Sequence, residues 1–594
     1  MIPSEQKKSF RLGRQDLWNI LLLVVLASVL FFFRLGERGL ADPEEGRYSE
    51  IAREMVESGD WITPRLNYIK RFHKPPLIFW QTAGYIKIFG LGKLQERLPA
   101  VAAGPVKLIL TGHNDLIDEF VVRLAPASTA ILTIVATYLL GRLMFSGAVG
   151  VMAGMVLMTT PQFFALGHIL NSDMLLAALT TFSFLFFFAA VREREKHHLL
   201  YSLLLFFTLG LGMLAKGFVI FITAVFPIIL YTILVGKGDV LRRLRFLPGT
   251  ALFLVVALPW YVVICAQNEG LWRYLLFEQS FSRTYTTTFR SAEPIWYFIP
   301  VLAGGFFPWI MFVPYSLVKH LNFKINSLVA YQKRLLLLFI WFAAPFILFS
   351  IFPSKLMTYI LPLYPPLAIL VAFGFYRLLK PDPYYCKRFS RSFTYFGLSL
   401  VTAMLGVAAI YFGLKFQPRY DFSKIYINIT AAALFICGFY SLIAYTYRKK
   451  YFLFGTIFST FFCLFVVFIF LVGELDQRLK WRVVGKYFTK QIIEAGGSDD
   501  TVIMCSRFLP SVPFYLRKRI VTVDISTDTR FEDSREPLQQ YLYHDIEDLN
   551  RFLNSDTPIF CIIKQDKLAK IPVGSYHTLD QIKNMVLISN RPLP

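Results

Sequence analysis

The chain has 594 residues, 55% of them hydrophobic and 17% aromatic, with a mean hydropathy of +0.51, which excludes a soluble fold for most of its length. Its net charge of +23 suggests nucleic acid at first. The cations, however, sit in short loops between apolar runs, without a basic domain interleaved with aromatics, so they read as the positive-inside bias of a multi-pass membrane protein with no nucleic-acid partner. None of the six cysteines forms a C-x-x-C pair, so zinc ribbons and thioredoxin-like chemistry have no support.

Lys7, Lys8, Arg11 and Arg14 precede an apolar run at residues 17–33 that lacks a small-residue cleavage site at its end. This is the pattern of an uncleaved first helix entering from the cytoplasm. Further apolar runs centre on 76–92, 122–145, 149–166, 173–191, 199–215, 217–235, 248–266, 295–318, 335–352, 358–379, 393–414, 425–446 and 452–473. Counting all fourteen as spans reverses the charge bias. The run at 76–92 is the weakest, interrupted by Gln81, Lys87 and two glycines and opened by Pro75-Pro76. Laying it in the interface leaves about thirteen spans and puts the cationic loops at 141–147, 192–198, 236–247, 319–334, 380–392 and 448–451 inside. The outer side then receives residues 34–121, the Asn171-Ser172-Asp173 turn, Lys216, residues 267–294, residues 354–359 and everything after Gly473.

From about Glu474 the composition turns polar. Strand-like runs at 501–505, 519–525, 558–563 and 585–589 alternate with a helical pattern at 538–553. The expected fold is mainly α: a polytopic helical membrane domain over 1–473, with an outer first loop at 34–121, followed by a soluble extracytoplasmic α/β domain over 474–594. Cys505 and Cys561 fall in that domain and read as free buried thiols, with pairing the alternative if the domain is extracytoplasmic.

Charge concentrates where the bilayer makes it costly. Just beyond the first span lies Ala41-Asp42-Pro43-Glu44-Glu45-Gly46-Arg47-Tyr48, followed by Phe72-His73-Lys74-Pro75-Pro76-Leu77. With Asp173, Lys216, Glu278, Arg283, Lys355 and Tyr359, these form an ionisable set at span ends on one side. A transporter would instead carry charges at mid-span or paired broken helices. The pattern therefore favours an enzyme acting on a charged lipid head group over a flippase or a scaffold. Gly210-Leu211-Gly212-Met213-Leu214-Ala215-Lys216-Gly217 has the wrong spacing for a phosphate-binding loop and lies in an apolar run, so it is not a nucleotide site. His73 has no His-x-x-x-His partner and reads as a surface histidine.

Several motifs in fixed order carry a resemblance: D-P-E-E-G-R-Y-S-E-I-A-R-E-M from Asp42, S-G-D-W-I-T-P-R-L from Ser58, K-P-P-L at Lys74, Asn-Ser-Asp ending at Asp173, L-A-K-G at Leu214, P-I-W-Y-F-I-P at Pro294 and S-K-L-M-T-Y-I-L-P at Ser354. Together they resemble the GT-C glycosyltransferases that use lipid-linked sugars. Within these, the likeness is to the branch of protein O-mannosyltransferases and bacterial lipid A aminoarabinose transferases. The resemblance implies a helical membrane fold with juxtamembrane helices in the first outer loop. It also implies an inner-membrane location, a polyprenyl phosphate sugar donor, and an acceptor that is lipid A, another glycan or protein. Two departures stand out. The family tends to have Asp before Glu-x-Arg-Tyr where this chain has Glu44, with Asp42 two residues earlier, and Glu-His where it has Glu278-Gln279. Residues 93–120 look like an added segment.

A polyprenyl phosphate leaving group needs fixed cations, and Lys74, Lys216, Arg283 and Lys355 are the candidates, with Tyr359 as a hydrogen-bond donor. A hydroxyl acceptor needs a general base, for which Glu44 or Asp42 is suited, with Asp173 the further carboxylate. A phosphate acceptor needs none, and the carboxylate would then orient groups or hold the ammonium of an aminosugar. Asp173 has the rival role of helix N-cap. Glu45, Arg47, Tyr48 and Glu278 complete the candidate set. No metal ligand set is legible, and dependence on a divalent metal stays open.

Overall fold

The computed structural model describes residues 12–91, 117–192, 197–235, 243–282, 293–318, 329–379, 480–497, 499–526, 529–532, 540–572 and 574–592, with a few positions between 431 and 443. The expected spans at 393–414, 425–446 and 452–473, and most of the 93–120 segment, lie outside the described residues. The chain divides into two compact units, one formed by 1–33, 126–261 and 273–471 and the other by 34–125, 262–272 and 472–594.

The first unit is helical. Across the described residues of the chain, seven helices are long and apolar enough to cross a membrane: Arg14–Phe32, Asp118–Met144, Ser172–Val191, His198–Lys216, Phe246–Gln267, Ala330–Ile351 and Met357–Arg377. The chain is an integral membrane protein. Three runs depart from simple spans. The run expected at 149–166 is a pair of helices, Gly147–Met158 and Pro161–Gly167, bent by 70°. Pro161 starts the second helix because it lacks an N–H to continue the first, and Thr159 and Thr160 turn their hydroxyls back onto the carbonyls of Met155 and Val156. The run at 217–235 opens with a π-helical turn, Phe221–Val225, before the α-helix Phe226–Val235. The run at 295–318 breaks into Phe298–Gly305, a 3₁₀ turn Trp309–Phe312 and Val313–Val318 around Pro308. Stacked aromatics hold the interior: Phe184 lies flat on Trp341 at 3.9 Å between ring centroids.

In the second unit, residues 34–91 form a helix, Glu44–Ser58 (the loop helix), the hairpin β1 (Arg65–Leu66) and β2 (Ile69–Lys70), and a helix, Leu77–Phe89. The last of these is the run set aside as too weak to span, and at 13 residues it reaches about 20 Å, short of the hydrocarbon thickness. Gly59, at φ 72°, ends the loop helix in the left-handed region. Asp60 then accepts the N–H groups of Ile62 and Thr63, both at 3.0 Å. The S-G-D-W-I-T motif thus works as a helix stop and turn. Asn67 and Tyr68 both have positive φ, 56° and 63°, as a two-residue hairpin turn twisted to match its strands requires. The strain at Tyr68 is held down by Glu54, which accepts its N–H at 3.0 Å, and by Glu57, which accepts its hydroxyl at 2.8 Å.

The C-terminal part carries a six-stranded sheet in the order β5-β4-β3-β6-β8-β7. Its strands are β3 (Thr501–Cys505), β4 (Val521–Val523), β5 (Leu542–Tyr543), β6 (Ile559–Lys564), β7 (His577–Ile582) and β8 (Met585–Ser589). β5, β4, β3 and β6 pair in parallel, and β8 pairs antiparallel with both β6 and β7. Helices Val484–Glu494 and Ser511–Leu516 (the cap helix) contribute Val484, Phe488 and Val512 to the core on one face, and Glu547–Leu553 contributes Leu549 and Leu553 to the other. The four strand-like runs become β3, β4, β6 and β8. The helix expected at 538–553 is corrected: among the described residues of that run only Glu547–Leu553 is α-helical, and Leu542–Tyr543 pairs with β4 as an edge strand. Two tyrosines flanking a leucine favour the half-buried strand surface over a helix face. Cys505 and Cys561 are buried free thiols on neighbouring strands.

Candidate active site

The motif after the first span sorts its carboxylates by what surrounds them. Glu45 is 1% exposed. Arg123 donates to it from Nε at 3.0 Å and Nη2 at 3.2 Å, Arg38 at 2.7 Å, and the Ala41 N–H at 2.9 Å. Arg123 spends its remaining donors on the carbonyls of Leu35, Arg38 and Gly39, which bends residues 35–41 around one guanidinium. Burial alone would raise the Glu45 pKa, yet the charges of Arg123 and Arg38 and their hydrogen bonds outweigh it and hold the carboxyl down at about 2. Glu45 is therefore a fixed anion in a saturated network, unfit to take or give a proton near neutrality.

Asp42 is engaged differently. One oxygen accepts the Ser511 N–H at 3.0 Å and the other accepts the Ser511 hydroxyl, so a first-loop carboxylate caps the start of the cap helix. Burial pushes its carboxyl up to about 7, against those two hydrogen bonds and the charge of Arg507. Gly46 makes the approach feasible, since a Cβ there would lie 2.5 Å from the Asp42 carboxylate and 2.6 Å from the Ser511 nitrogen.

Glu44, the first residue of the loop helix, is exposed. Among the described residues it has no hydrogen bond or ion pair. It is the one carboxylate of the motif left available. Tyr48 is buried against Phe79, at 5.9 Å between centroids, and serves the core. Arg47 lines a cavity with its Nε buried and unpartnered among the described residues. Lys74 is half-buried at the turn before Leu77–Phe89. Further along the loop helix, burial and the adjacent Glu50 raise the pKa of Glu54 well above the carboxylate range, while Glu50 takes a bidentate bond from Arg53 at 2.7 and 2.8 Å.

In the helical unit, three candidates meet. Lys216, at the end of His198–Lys216, pairs with Asp173, and its Nζ lies 4.6 Å from the centre of the Tyr359 ring. The N-cap of Ser172–Val191 is Asn171, whose side chain accepts the Met174 N–H at 2.9 Å. Asp173 is thereby released from the capping role for its pair with Lys216. Lys355 is 4% exposed and donates to the Glu293 carbonyl at 2.7 Å. The Glu293 N–H in turn donates to the Pro353 carbonyl at 3.1 Å, so the P-I-W-Y and S-K-L-M-T-Y motifs are tied to each other. Burial presses the Lys355 ammonium below the usual lysine range, with the Glu293 charge opposing. Glu278 sits half-buried in the π-helical segment Tyr274–Ser282. Arg283 lies outside the described residues. No group of three or more metal-ligating side chains occurs among the described residues.

Sequence reasoning missed Arg123. Its signal was an arginine in the first turns of an apolar run, at Val121-Val122-Arg123-Leu124, where an unpaired charge is too costly to keep.

The described residues thus combine helices of membrane-crossing length, ionisable residues at helix ends and a small mixed sheet. The family model for dolichyl-phosphate-mannose-protein mannosyltransferase matches residues 113–263. The chain is 28% identical over 365 residues to undecaprenyl phosphate-alpha-4-amino-4-deoxy-L-arabinose arabinosyl transferase 2 of Proteus mirabilis, covering 59% of this chain and 58% of that one. It is 31% identical over 359 residues to the corresponding transferase of Shewanella sediminis, covering 60% of each. The matched region thus spans about three fifths of these curated relatives. The crystal structure of ArnT from Cupriavidus metallidurans bound to undecaprenyl phosphate superposes with a TM-score of 0.76 at 23% identity, over 96% of this chain and 98% of that one. The chain has the GT-C fold implied by its motifs.

Proposed function

We propose that this protein is a glycosyltransferase that moves a sugar, 4-amino-4-deoxy-L-arabinose, from a polyprenyl phosphate carrier to lipid A at the outer face of the bacterial inner membrane. The membrane region over 1–473 carries the transfer site, and residues 474–594 form an extracytoplasmic domain. The bond from the sugar's anomeric carbon to the carrier phosphate oxygen breaks, its electron pair staying with the phosphate, and an acceptor oxygen forms the new bond. Lys74 and Lys355, with Tyr359 and the Lys216–Asp173 pair, stabilise the charge that develops on the departing phosphate. Arg283 belongs to the same cationic set, and Glu278 stands on the same outer side.

The observation that carries this reading is the sorting of the three motif carboxylates. Asp42 is occupied by Ser511 and Glu45 by Arg123 and Arg38, which leaves Glu44 exposed. Toward a phosphate acceptor, Glu44 needs to take no proton and instead holds the ammonium of the aminosugar. Its exposure equally suits a general base, which favours a hydroxyl on a glycan or protein as the second acceptor class. The test is mass spectrometry of lipid A and surface proteins from cells with and without the gene, alongside release of polyprenyl phosphate by the purified protein. A lipid A mass unchanged by the gene, with a new glycan on protein, selects the second acceptor; release that depends on neither overturns transfer.

A further inference from the structure

The second unit holds a cavity of 160 Å³ that none of the chemistry above uses. Its walls come from three stretches far apart in sequence: Pro43 and Arg47 at the start of the loop helix, the β1–β2 hairpin with Arg71 just after it, and the segments that follow β3 and β4. The two parallel strands put Phe508 and Ser526 beyond their C-terminal ends, the edge at which open α/β sheets receive ligands. Asn67 fixes the hairpin beside β4 by exchanging two 2.8 Å hydrogen bonds with the backbone of Ile520, the residue just before that strand, so that wall is preformed.

The charged residues lining the cavity are Arg47 and Arg71, and no carboxylate is among its described lining residues. The Nε of Arg47 is buried with no partner among the described residues. A buried guanidinium N–H left unsatisfied is costly, and its planar fork matches the paired oxygens of a phosphate or a carboxylate. The volume equals the share of about five water molecules, enough for one phosphate with part of an attached ring and too small for an acyl chain.

We infer that this cavity is an anion subsite taking a phosphomonoester, held between Arg47 and Arg71 at the C-terminal edge of β3 and β4. Resting on the proposed transfer reaction, it engages a phosphate of the acceptor head group and makes the C-terminal domain part of acceptor recognition.

The test uses the full-length protein in lipid nanodiscs, titrated with inorganic phosphate, bisphosphorylated lipid A and fully dephosphorylated lipid A. Arg71→Gln removes one fork. Ser526→Asp places a carboxylate at the exposed rim without removing a buried contact, so it keeps the subsite testable if the arginine variant does not fold. Each is expected to weaken binding of the phosphorylated lipid at least tenfold and leave the dephosphorylated one within twofold, with Arg71→Lys recovering part of the loss. In turnover, the acceptor KM rises at least tenfold while kcat and the donor KM hold. Phosphate binding lost in both variants without any change for lipid A identifies a free phosphate as the occupant and overturns the acceptor role. Unaltered binding of both ligands in both variants overturns the subsite itself. Absence of transfer with every acceptor refutes the proposed reaction, while the binding titrations still decide the cavity.

Discussion

The lysines Lys216 and Lys355 of the helical unit and the Glu45 cluster of the unit that contains the loop helix treat buried charge in opposite ways. In the helical unit, Asp173 and Lys216 neutralise each other one to one, and Lys355 leans on a single carbonyl. In the other unit, Glu45 is gripped by two arginines and a backbone N–H, and Arg123 has every donor direction occupied. Sparse partners leave a cation free to answer charge that appears during a reaction; saturated partners turn an ion into a girder. The lesson is that the number of partners, more than burial, separates groups that react from groups that hold shape.

The largest break in this contrast is Arg123→Met. Leaving Glu45 buried and unpaired is expected to cost about 3–5 kcal/mol, read as lost thermal stability and lost folded yield, whereas Lys216→Met costs clearly less. Equal losses would erase the distinction between the two networks. Next comes Glu44→Gln, which keeps shape and removes charge. It is expected to lower turnover by about 10²–10⁴-fold with an unchanged melting temperature if the acceptor is a hydroxyl. With a phosphate acceptor the defect depends on an amine in the donor sugar. A harmless Glu44→Gln with an inactive, folded Asp42→Asn would mean that the reactive carboxylate lies two residues earlier.

Lys355→Ala and Lys74→Ala should each cost about 10²-fold in turnover with the fold retained. Near-normal rates in both would return them to the role of interfacial lysines that reach for water. The remaining effects are in pH. Glu45 has a folded pKa near 2 against an ordinary 4.5, so it contributes stability above that ordinary value, lost as pH falls from there toward 2. Asp42 has the opposite sign: raised from 3.8 to about 7, it contributes stability fully present below 3.8 and lost as pH rises through 7. Melting temperatures from about pH 5 to 9 should decline for the wild type and flatten for Asp42→Asn. Parallel curves would remove Asp42 from that limb.

Much of this was legible in the chain itself. Apolar runs located the membrane helices, and the β-branched runs at 501–505, 558–563 and 585–589 became strands because their hydrophobic faces have a sheet core to fill. Hydropathy is blind to backbone breaks, so the bend at Thr160-Pro161 and the rupture around Pro308 were read as single spans. β7 escaped because its edge position leaves none of its residues fully buried, with no apolar alternation to betray it. At the site, the motif announced three carboxylates but not their fates. Arg123 and Ser511 lie 78 and 469 residues from Glu45 and Asp42, and no local pattern encodes such pairings.

Gly46 carries a consequence for evolution and for engineering. Any side chain at that position would drive into the backbone of Ser511, and Gly485 also meets that serine, its notional Cβ 2.0 Å from the Ser511 hydroxyl. A short motif near the N-terminus is thus moulded around a residue some 469 positions away, so a change on one side is constrained by the other. Grafting a foreign C-terminal domain onto this chain demands a counterpart that is equally slender where it touches the loop helix, and a library that varies Gly46 alone will return almost nothing but glycine until Ser511 and its flanks are varied with it.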